Sequence, residues 1–543
     1  MRQWIMALAL ATAAFGWLAS IALASLARAD VPQAFRVGTY SVDITPDLEE
    51  GRMLLAGFGP FLPLSGENRW AEGIHDRIWA RSLAVQGTSG QTILLMTVDL
   101  PGLVWKHINP VRRELARDFG VPEGNIVIHS THTHSAPDGA GYWTTLIAGH
   151  NSAYTDKLRV WLYRSGAQAL ARLEPARMRS ALTTHYSCIH PRTRVLKKDP
   201  DCNLPDNDPE FHRPGADYDT YLIQSDERDP IVRNTRIAAA QFVNAYTGRT
   251  IATFVHWNNH PDTLDSSNRL LSSDYPHYLR EYVERELGGV ALYFVGTLGN
   301  QIGALHGVPA PLWNERFERV YSGELDAEGK PVPALVTEGY EKIRSIGYEI
   351  GDEAVRALKQ ETWQDDPLVW IKTEPLDVAV DNPVHVVMTG SVWNHGVERE
   401  DRMKHYRGRC GSLHGCVRTD VSVLQIGDLG IGTAPGEVDP AYFLGRHESV
   451  ADYGERWGKW KFPAMPAIEP YLPGRIHLML GSANNYLSYL VPTSDNVGWL
   501  NLSHPNCYEE QVTVGKDFGD DAGNKLMQML GSPVRYSNRD IRP

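Results

Sequence analysis

The chain has 543 residues, of which 42% are hydrophobic and 22% charged, an ordinary globular composition with enough apolar material for a large core. Its net charge of −12 is the opposite of the basic footprint that nucleic-acid-binding proteins carry, so neither DNA nor RNA is an expected partner. The five cysteines show no Cys-x-x-Cys spacing, which argues against a structural zinc site built from thiolates.

Residues 1–29 have the pattern of a cleaved secretory signal peptide. Arg2 begins a short basic region, an uncharged apolar run follows, and Ala27-Arg-Ala29 provides a cleavage site before Asp30. The alternative is an uncleaved membrane anchor, which this cleavage pattern disfavours. We therefore expect a secreted or periplasmic protein that comprises residues 30–543. Its contact with membranes should be at most peripheral, because no later segment is apolar enough to span a bilayer.

An oxidising compartment would allow the cysteines to pair. Two pairs are close in sequence, Cys188 with Cys202 and Cys410 with Cys416, and they leave Cys507 free. Spacing does not determine connectivity, so other pairings stay open.

The first third of the mature chain alternates between strands and helices. Residues 36–45 alternate polar and apolar side chains like a half-buried strand, and Thr92–Val98 is a continuous apolar run that is typical of a central strand. Asp99, at the end of that run, is either a site residue or the N-cap of a helix. The same stretch also predicts helices at residues 106–117 and 153–172 and a short strand at residues 125–128.

Polar residues cluster directly after the strand at 125–128. The chain reads Ser130-Thr-His-Thr-His-Ser135 and then turns at Pro137-Asp-Gly139. In open α/β sheets, ligands bind at this carboxyl end of the strands. His132 and His134 are two residues apart, so on an extended backbone both side chains would point to the same side and could share one ligand or metal. The alternative is that they are hydrogen-bonded histidines of a surface turn.

The second half of the chain continues the α/β pattern. Residues 185–232 are too long for a plain connection and form either a functional loop or an insertion over the site. A predicted hairpin then leads to His256 and His260, so a β run again ends in histidine. The predicted elements are the hairpin strands at 237–245 and 250–255, helices at 275–287 and 337–358, strands at 291–295, 421–426, 429–433 and 476–480, and a glycine-rich turn at 296–303. This alternation predicts an α/β fold in a single large domain, with a mixed central sheet flanked by helices.

Six short segments carry a more specific signal because they occur together and in a fixed order. They are Val37-Gly to Asp43-Ile-Thr-Pro46, Gly73-Ile-His-Asp-Arg77, Thr131-His-Thr-His-Ser-Ala-Pro137, His260 with Asn268-Arg-Leu-Leu-Ser-Ser-Asp274, Pro435-Gly-Glu437 and Asn485-Tyr-Leu-Ser-Tyr489. In this order they resemble the neutral/alkaline ceramidase family, over most of the chain from residue 36 to residue 515. The resemblance implies the family's α/β catalytic domain and a hydrolase that acts on ceramide or a related lipid amide.

The resemblance also implies a zinc site. His132 and His260 match the two zinc histidines of the family, Glu437 its zinc carboxylate and Tyr486 its zinc-bound tyrosine. Tyr489 matches the nearby active-site tyrosine, and the resemblance leaves open which of the two tyrosines contacts the metal. Two imidazoles, a carboxylate and a phenolate suit Zn²⁺ with one position left for water.

The catalytic residues implied by the resemblance are His134, which is expected to face the substrate, Tyr489 and Arg192. Arg192, in His190-Pro-Arg-Thr193, echoes the family's Asn-Arg-Ser-Pro segment, whose arginine lines the substrate site. Another segment departs from the family. Where the family has Gly-Asp-Val-Ser-Pro-Asn with a catalytic serine, this chain has Gly299-Asn-Gln-Ile-Gly303, so Ile302 stands in place of the serine. The chain also ends soon after the match, so the family's C-terminal immunoglobulin-like domain is expected to be missing.

These features predict a secreted zinc-dependent hydrolase that cleaves an N-acyl amide bond with zinc-activated water. Because Ile302 replaces the family's serine, an esterase or a hydrolase of a non-ceramide acylated substrate is the competing interpretation. A catalytically silent zinc-binding protein is the third.

Overall fold

A computed structural model describes residues 34–58, 69–143, 151–185, 187–189, 196–198, 223–224, 232–302, 309–325, 329–382, 385, 416–452, 458–496 and 508–536. The predicted signal peptide at 1–29, Arg192 and the cysteines Cys202, Cys410 and Cys507 lie outside these residues. Cys416 is disulfide-bonded. Its pairing with Cys410 stays a prediction, as do the Cys188–Cys202 pair and the extent of the domain over residues 30–543.

A mixed eight-stranded sheet forms the centre of the protein. Its strands are β1 (Arg36–Asp43), β2 (Trp79–Gln86), β3 (Thr92–Val98), β4 (Ile126–Ser130), β5 (Glu174–Thr184), β6 (Arg236–Asn244), β7 (Thr250–Trp257) and β8 (Val290–Val295). They lie in the order β8-β7-β6-β5-β1-β2-β3-β4. The pairs at the two edges, β7 with β8 and β3 with β4, are parallel, and the pairs between them are antiparallel.

A four-stranded sheet packs on one face of the central sheet. It comprises β9 (Val369–Ala379), β10 (Cys416–Ile426), β11 (Leu429–Thr433) and β12 (Ile476–Leu480) in sequential order, with β11 and β12 parallel. The apolar side chains between the two sheets form one core. The strands predicted at 421–426, 429–433 and 476–480 therefore belong to this second sheet.

Helices cover the outer faces of both sheets. Within the described residues the α-helices are α1 (Trp105–Phe119), α2 (Ser152–Ala171), α3 (Tyr275–Leu287), α4 (Gly339–Lys359), α5 (Pro440–Leu444), α6 (Tyr508–Val512) and α7 (Phe518–Met529). Short 3₁₀ helices in the same part of the chain span Leu48–Glu50, Glu123–Asn125 and Glu469–Tyr471. α1 and α2 cover the β1 to β4 half of the central sheet, α3 and α4 cover its other half, and α5 and α7 cover the second sheet. The layers are therefore helix, sheet, sheet and helix.

Short strand pairs complete the fold at its edges. They are Gly73–Ile74 with Leu270–Leu271, Ser187–Ile189 with Leu196–Lys198, Ile223–Gln224 with Gln301–Ile302, Ala310–Pro311 with Leu335–Val336, Tyr321–Leu325 with Pro331–Pro333, Glu437–Val438 with Tyr489–Leu490, and Ser449–Asp452 with Lys459–Phe462. None of the helices in the described part of the chain is long and apolar enough to cross a bilayer.

The predicted fold class, α/β with a large mixed sheet flanked by helices, is confirmed. The strand β3 shows why a continuous apolar run indicates a central strand. Leu95 faces the core between the sheets, whereas Leu94 and Met96 face the helices, so both faces of the strand are buried. Asp99 does not cap a helix, because α1 begins only at Trp105, and its carboxylate instead accepts two hydrogen bonds of 2.8 Å from Arg280.

Candidate active site

Four polar side chains meet beyond the carboxyl ends of strands that belong to parallel pairs. His132 follows β4 and His260 follows β7, both in the central sheet, whereas Glu437 follows β11 and Tyr486 follows β12 in the second sheet. The strands of a parallel pair end at the same edge, so residues distant in sequence are brought to one place. Both sheets therefore contribute to one buried cluster.

His132 reaches the cluster through a left-handed backbone. The strand β4 ends at Ser130, and His132 has φ of +66°, a conformation that non-glycine residues adopt rarely. The prediction that His132 and His134 meet is confirmed by a distance of 3.1 Å between their Nε2 atoms, but an extended backbone is not the reason. The turn at His132 brings the two rings together, at a cost of about 1–3 kcal/mol that the surrounding contacts must offset.

The tautomers of His132 and His260 are set by backbone carbonyls. The Nδ1 of His132 donates to the carbonyl oxygen of Pro101 at 2.5 Å, and the Nδ1 of His260 donates to that of Gln301 at 2.8 Å. Because a carbonyl oxygen can only accept, each Nδ1 carries a proton, and each Nε2 is directed into the cluster. Metal-binding histidines are oriented in this way by a second hydrogen bond.

Glu437 faces these two Nε2 atoms. Its Oε2 lies 3.0 Å from the Nε2 of His260 and 3.5 Å from the Nε2 of His132. Two acceptors this close repel each other unless a proton or a metal cation lies between them. The donor set therefore fits a bound cation of the Zn²⁺ type.

Burial and neighbouring charges together determine the pKa values of Glu437 and His134. Burial alone would raise the pKa of Glu437, but the adjacent His132 and His260 hold that pKa well below its ordinary value, so the carboxylate is ionised. The pKa of His134 is well below its usual value, first because of burial and then because of the neighbouring histidines. His134 is therefore neutral at physiological pH.

His134 differs from the other two histidines in its surroundings. Its Nε2 lies within the cluster, and ligand atoms of His132, His134 and His260 all lie within 4.8 Å of one another. Its Nδ1, however, is buried and has no hydrogen-bond partner among the described residues. In that part of the chain no backbone carbonyl holds this ring as Pro101 and Gln301 hold the other two.

The two candidate tyrosines occupy different positions. The hydroxyl of Tyr486 donates to the Oε1 of Glu437 at 2.5 Å, and its side chain is buried. Tyr489 pairs through its backbone with Glu437, and its ring packs edge-on against Tyr508 at 5.9 Å. Burial raises the pKa of both tyrosines well above the ordinary value, and the charge of Glu437 adds to the effect.

The segment that contains Ile302 helps to hold His260 in position. Gln301 and Ile302 form a short strand, and the carbonyl oxygen of Gln301 is the group that holds His260. Ile302 itself is half-buried and offers no nucleophilic atom.

A turn after the histidines holds aromatic residues against Tyr486. The carboxylate of Asp138 accepts the backbone N–H groups of Ala140, Gly141 and Trp143 at 2.7 to 3.0 Å. The hydroxyl of Tyr142 in this turn donates to the carbonyl oxygen of Tyr486 at 2.9 Å.

Several supporting groups were not predicted from the sequence. The carbonyl oxygens of Pro101 and Gln301 leave no side-chain signal. The Pro137-Asp-Gly139 turn signal was visible, but its connection to Tyr486 depends on tertiary structure. His256 and His129, which also end β runs, are not part of the cluster. They are buried in the core between the sheets, where burial lowers their pKa values to about 4 and about 3.

Comparisons with known proteins give matches in sequence and in fold. No model of a known protein family matches the chain. A segment of 165 residues is 32% identical to the neutral ceramidase of Pseudomonas aeruginosa, which corresponds to 29% of this chain and 23% of that protein. The sequence match thus spans about a quarter of the length of the curated relative.

Two solved structures share the fold. The crystal structure of neutral ceramidase from Pseudomonas aeruginosa superposes with a TM-score of 0.55 over 94% of this chain and 76% of that one, at 17% identity. A ceramidase complexed with C2 superposes with the same TM-score over 94% and 77% of the two chains, at 18% identity. The chain therefore shares the fold of neutral ceramidase, and a 165-residue segment of it is similar in sequence to that protein.

Proposed function

We propose that this protein is an exported zinc-dependent hydrolase that cleaves an N-acyl amide bond, in ceramide or a related lipid amide. One observation supports it above all others. Two imidazoles with carbonyl-anchored Nδ1 atoms direct their Nε2 atoms at the same place as an ionised carboxylate. The likeness to neutral ceramidase in sequence and fold supports the same chemistry. Export is expected from the predicted signal peptide.

In this proposal the metal is held by His132, His260, Glu437 and Tyr486. Zinc, when bound, lowers the pKa of water from 15.7 to about 7 and polarises a substrate carbonyl. The two anchored histidines contribute rigid donors, because rotation of either ring would break its bond to Pro101 or Gln301. Tyr486 contributes its hydroxyl, which now donates to Glu437.

His134 has a different role in the proposal. Its ring is neutral and close to the cluster, and its Nδ1 has no hydrogen-bond partner among the described residues, so it can take a proton on one nitrogen and release one from the other. We assign it the protonation of the leaving amine, with Tyr489 nearby. Arg192 would line the substrate site.

The isoleucine at position 302, where the family has a serine, favours a second candidate function. A hydrolase without the family's serine can act on a different acylated substrate, and an ester needs less assistance to its leaving group than an amide does. An esterase or a hydrolase of a non-ceramide substrate is therefore the competing proposal.

The test measures the metal and the turnover together. Purified protein should hold close to one equivalent of zinc, and His132→Ala or His260→Ala should lose it, because each removes one of two neutral nitrogen donors. His134→Ala should retain zinc and lose about 10²- to 10⁴-fold in kcat on an N-acyl amide. His477→Ala is the matched control, because His477 lies on β12 away from the cluster and bonds to the carbonyl of Gly474.

A panel of fluorogenic N-acyl amides and esters, with and without chelator, separates the candidates. Chelator-sensitive amide cleavage supports the amidase, and cleavage of esters alone supports the second candidate. Zinc without any turnover would leave a binding protein, and zinc binding by His132→Ala as tight as in the parent would refute the metal site.

A further inference from the structure

Arg69 is a buried arginine next to the histidine cluster. Its side chain donates from Nη1 to the carbonyl oxygens of Ala56 at 3.1 Å and His134 at 2.9 Å, and from Nη2 to that of Asn268 at 3.2 Å. The residue is only 5% exposed, and its buried Nε has no hydrogen-bond partner among the residues that the structure describes. All three of its partners in the described part of the chain are neutral.

The charge of Arg69 is therefore poorly compensated. Neutral carbonyls satisfy individual N–H donors but do not neutralise a guanidinium, and a buried cation without an anion is costly. Burial is the main cause that lowers the pKa of Arg69 to about 10, Arg269 lowers it further, and only Asp265 opposes them. Arg69 is still protonated at neutral pH, so a positive charge lies at the edge of the cluster, and two of its five N–H groups have no acceptor among the described residues.

This charge lies on the His134 side of the cluster. The guanidinium carbon of Arg69 is 4.8 Å from the centre of the Phe58 ring, and that ring packs edge-on against His134 at 4.8 Å. Glu437, the carboxylate of the cluster, is directed at His132 and His260 instead. An anion held by Arg69 would therefore lie beside His134.

We propose that Arg69 is a specificity-determining residue that binds a carboxylate on the amine half of the substrate, so that the substrate class is the N-acyl amino acids. The inference rests on the proposed function, because it takes His134 as the residue beside the leaving amine. In the reaction, the oxygen of water bonds to the acyl carbon, the C–N bond breaks and a proton is transferred to the nitrogen. The products are a fatty acid and a free amino acid.

The test compares two substrates that differ only in the carboxylate, N-octanoyl-phenylalanine and N-octanoyl-phenethylamine. The ratio of their kcat/KM values is the readout, because loss of the carbonyl contacts of Arg69 would reduce both values together and leave the ratio unchanged. The parent should prefer the carboxylate by roughly 10- to 100-fold, mainly through KM. Arg69→Met should bring the ratio close to one, and Arg69→Lys should retain part of the preference.

Arg52→Met is the matched control. Arg52 is exposed and lies over the ring of Trp70 at 4.2 Å, so its removal takes the same charge from a nearby segment without touching the buried site. The ratio should stay at the parental value. An equal fall in the ratio in this control would trace the preference to long-range charge and would overturn the proposal.

Binding provides a readout that does not need turnover. Calorimetric titration of chelator-treated protein with the same two compounds should show tighter binding of the carboxylate, and Arg69→Met should abolish the difference. Turnover of both compounds without preference would overturn this inference alone, whereas failure to cleave any amide or ester in the panel would overturn the proposed function.

Discussion

Asp76 is a buried carboxyl group in the Gly-Ile-His-Asp-Arg motif. It accepts hydrogen bonds from the hydroxyl of Ser272 at 2.5 Å and the backbone N–H of Ser273 at 2.8 Å. Burial raises its pKa to about 7 in spite of these bonds. His277, whose Nδ1 is 3.6 Å away, does not compensate the charge, because burial lowers the pKa of that ring to about 3.

This pKa makes the stability of the fold depend on pH. Between about pH 4 and pH 7 the unfolded chain has lost the proton of Asp76 whereas the folded protein keeps it, so the free energy of unfolding falls as pH rises. The contribution is at most about 1.4 kcal/mol per pH unit.

Asp76→Asn, which resembles the protonated acid, should remove this contribution. Urea denaturation at several pH values should therefore show a flatter profile between pH 4 and pH 7 than in the parent, and a variant more stable than the parent near pH 7.5. Asp47→Asn is the control, since Asp47 is exposed and caps only the first 3₁₀ helix. Parallel profiles for Asp76→Asn and the parent would contradict the assignment.

The turn at residues 138–143 is an element held by one carboxylate. Both carboxylate oxygens of Asp138 accept hydrogen bonds from backbone N–H groups of the turn. The turn also positions Tyr142, whose hydroxyl bonds to the backbone of Tyr486. The position of Tyr486, and with it the Glu437 side of the cluster, should depend on this turn.

Asp138→Ala should leave three backbone donors without their acceptor. We expect a loss of about 1–3 kcal/mol in stability and about a 10- to 100-fold weaker zinc affinity, the usual effect of removing an outer support of a metal site. Competition with a chromophoric chelator measures the affinity. Asp138→Asn keeps one acceptor oxygen and should show a smaller effect, and equal affinities for Asp138→Ala and the parent would show that the turn does not support the site.

The elements themselves were predictable where one physical signal dominated. β3, β11 and β12 were predicted with their observed bounds because apolar runs between polar turns identify buried strands, and helix α3 agrees at both ends. The two-sheet arrangement was not predictable, because the alternation within β9 and β10 shows that a face is buried but not what buries it. Likewise, the left-handed turn at His132 depends on contacts from distant segments.

The four residues of the cluster were predicted from the order of the family-like motifs. The spacing of residues in the sequence would not have selected these four. His132, His260, Glu437 and Tyr486 converge as the resemblance implied, although their chemical roles remain proposals. His134 was expected to face the substrate, and its Nε2 lies as close to the cluster as a ligand would.

At the scale of the whole molecule, the cluster joins the two sheets. His132 and His260 follow strands of the central sheet, and Glu437 and Tyr486 follow strands of the second sheet. A metal bound by all four would act as a cross-link between the sheets, in addition to the apolar core that they share.

Removal of zinc should therefore lower the thermal stability of the entire protein. Zinc at 1,000 times its Kd contributes about 4.1 kcal/mol by mass action if the unfolded chain does not bind it. Differential scanning calorimetry with and without chelator should show a lower Tm in chelator and recovery on adding zinc. His132→Ala should have the same Tm in both conditions, and an unchanged Tm of the parent in chelator would speak against metal binding by the folded state.

The four residues of the proposed metal site are far apart in the chain. His132 lies early in the chain, whereas Tyr486 follows the last strand of the second sheet, so their convergence depends on contacts between distant segments, which form slowly in folding. A metal bound by all four would therefore be captured late in folding. The metal content of a preparation would then distinguish fully folded molecules from compact, incompletely folded ones. Spectroscopic signals of secondary structure would not distinguish these two states.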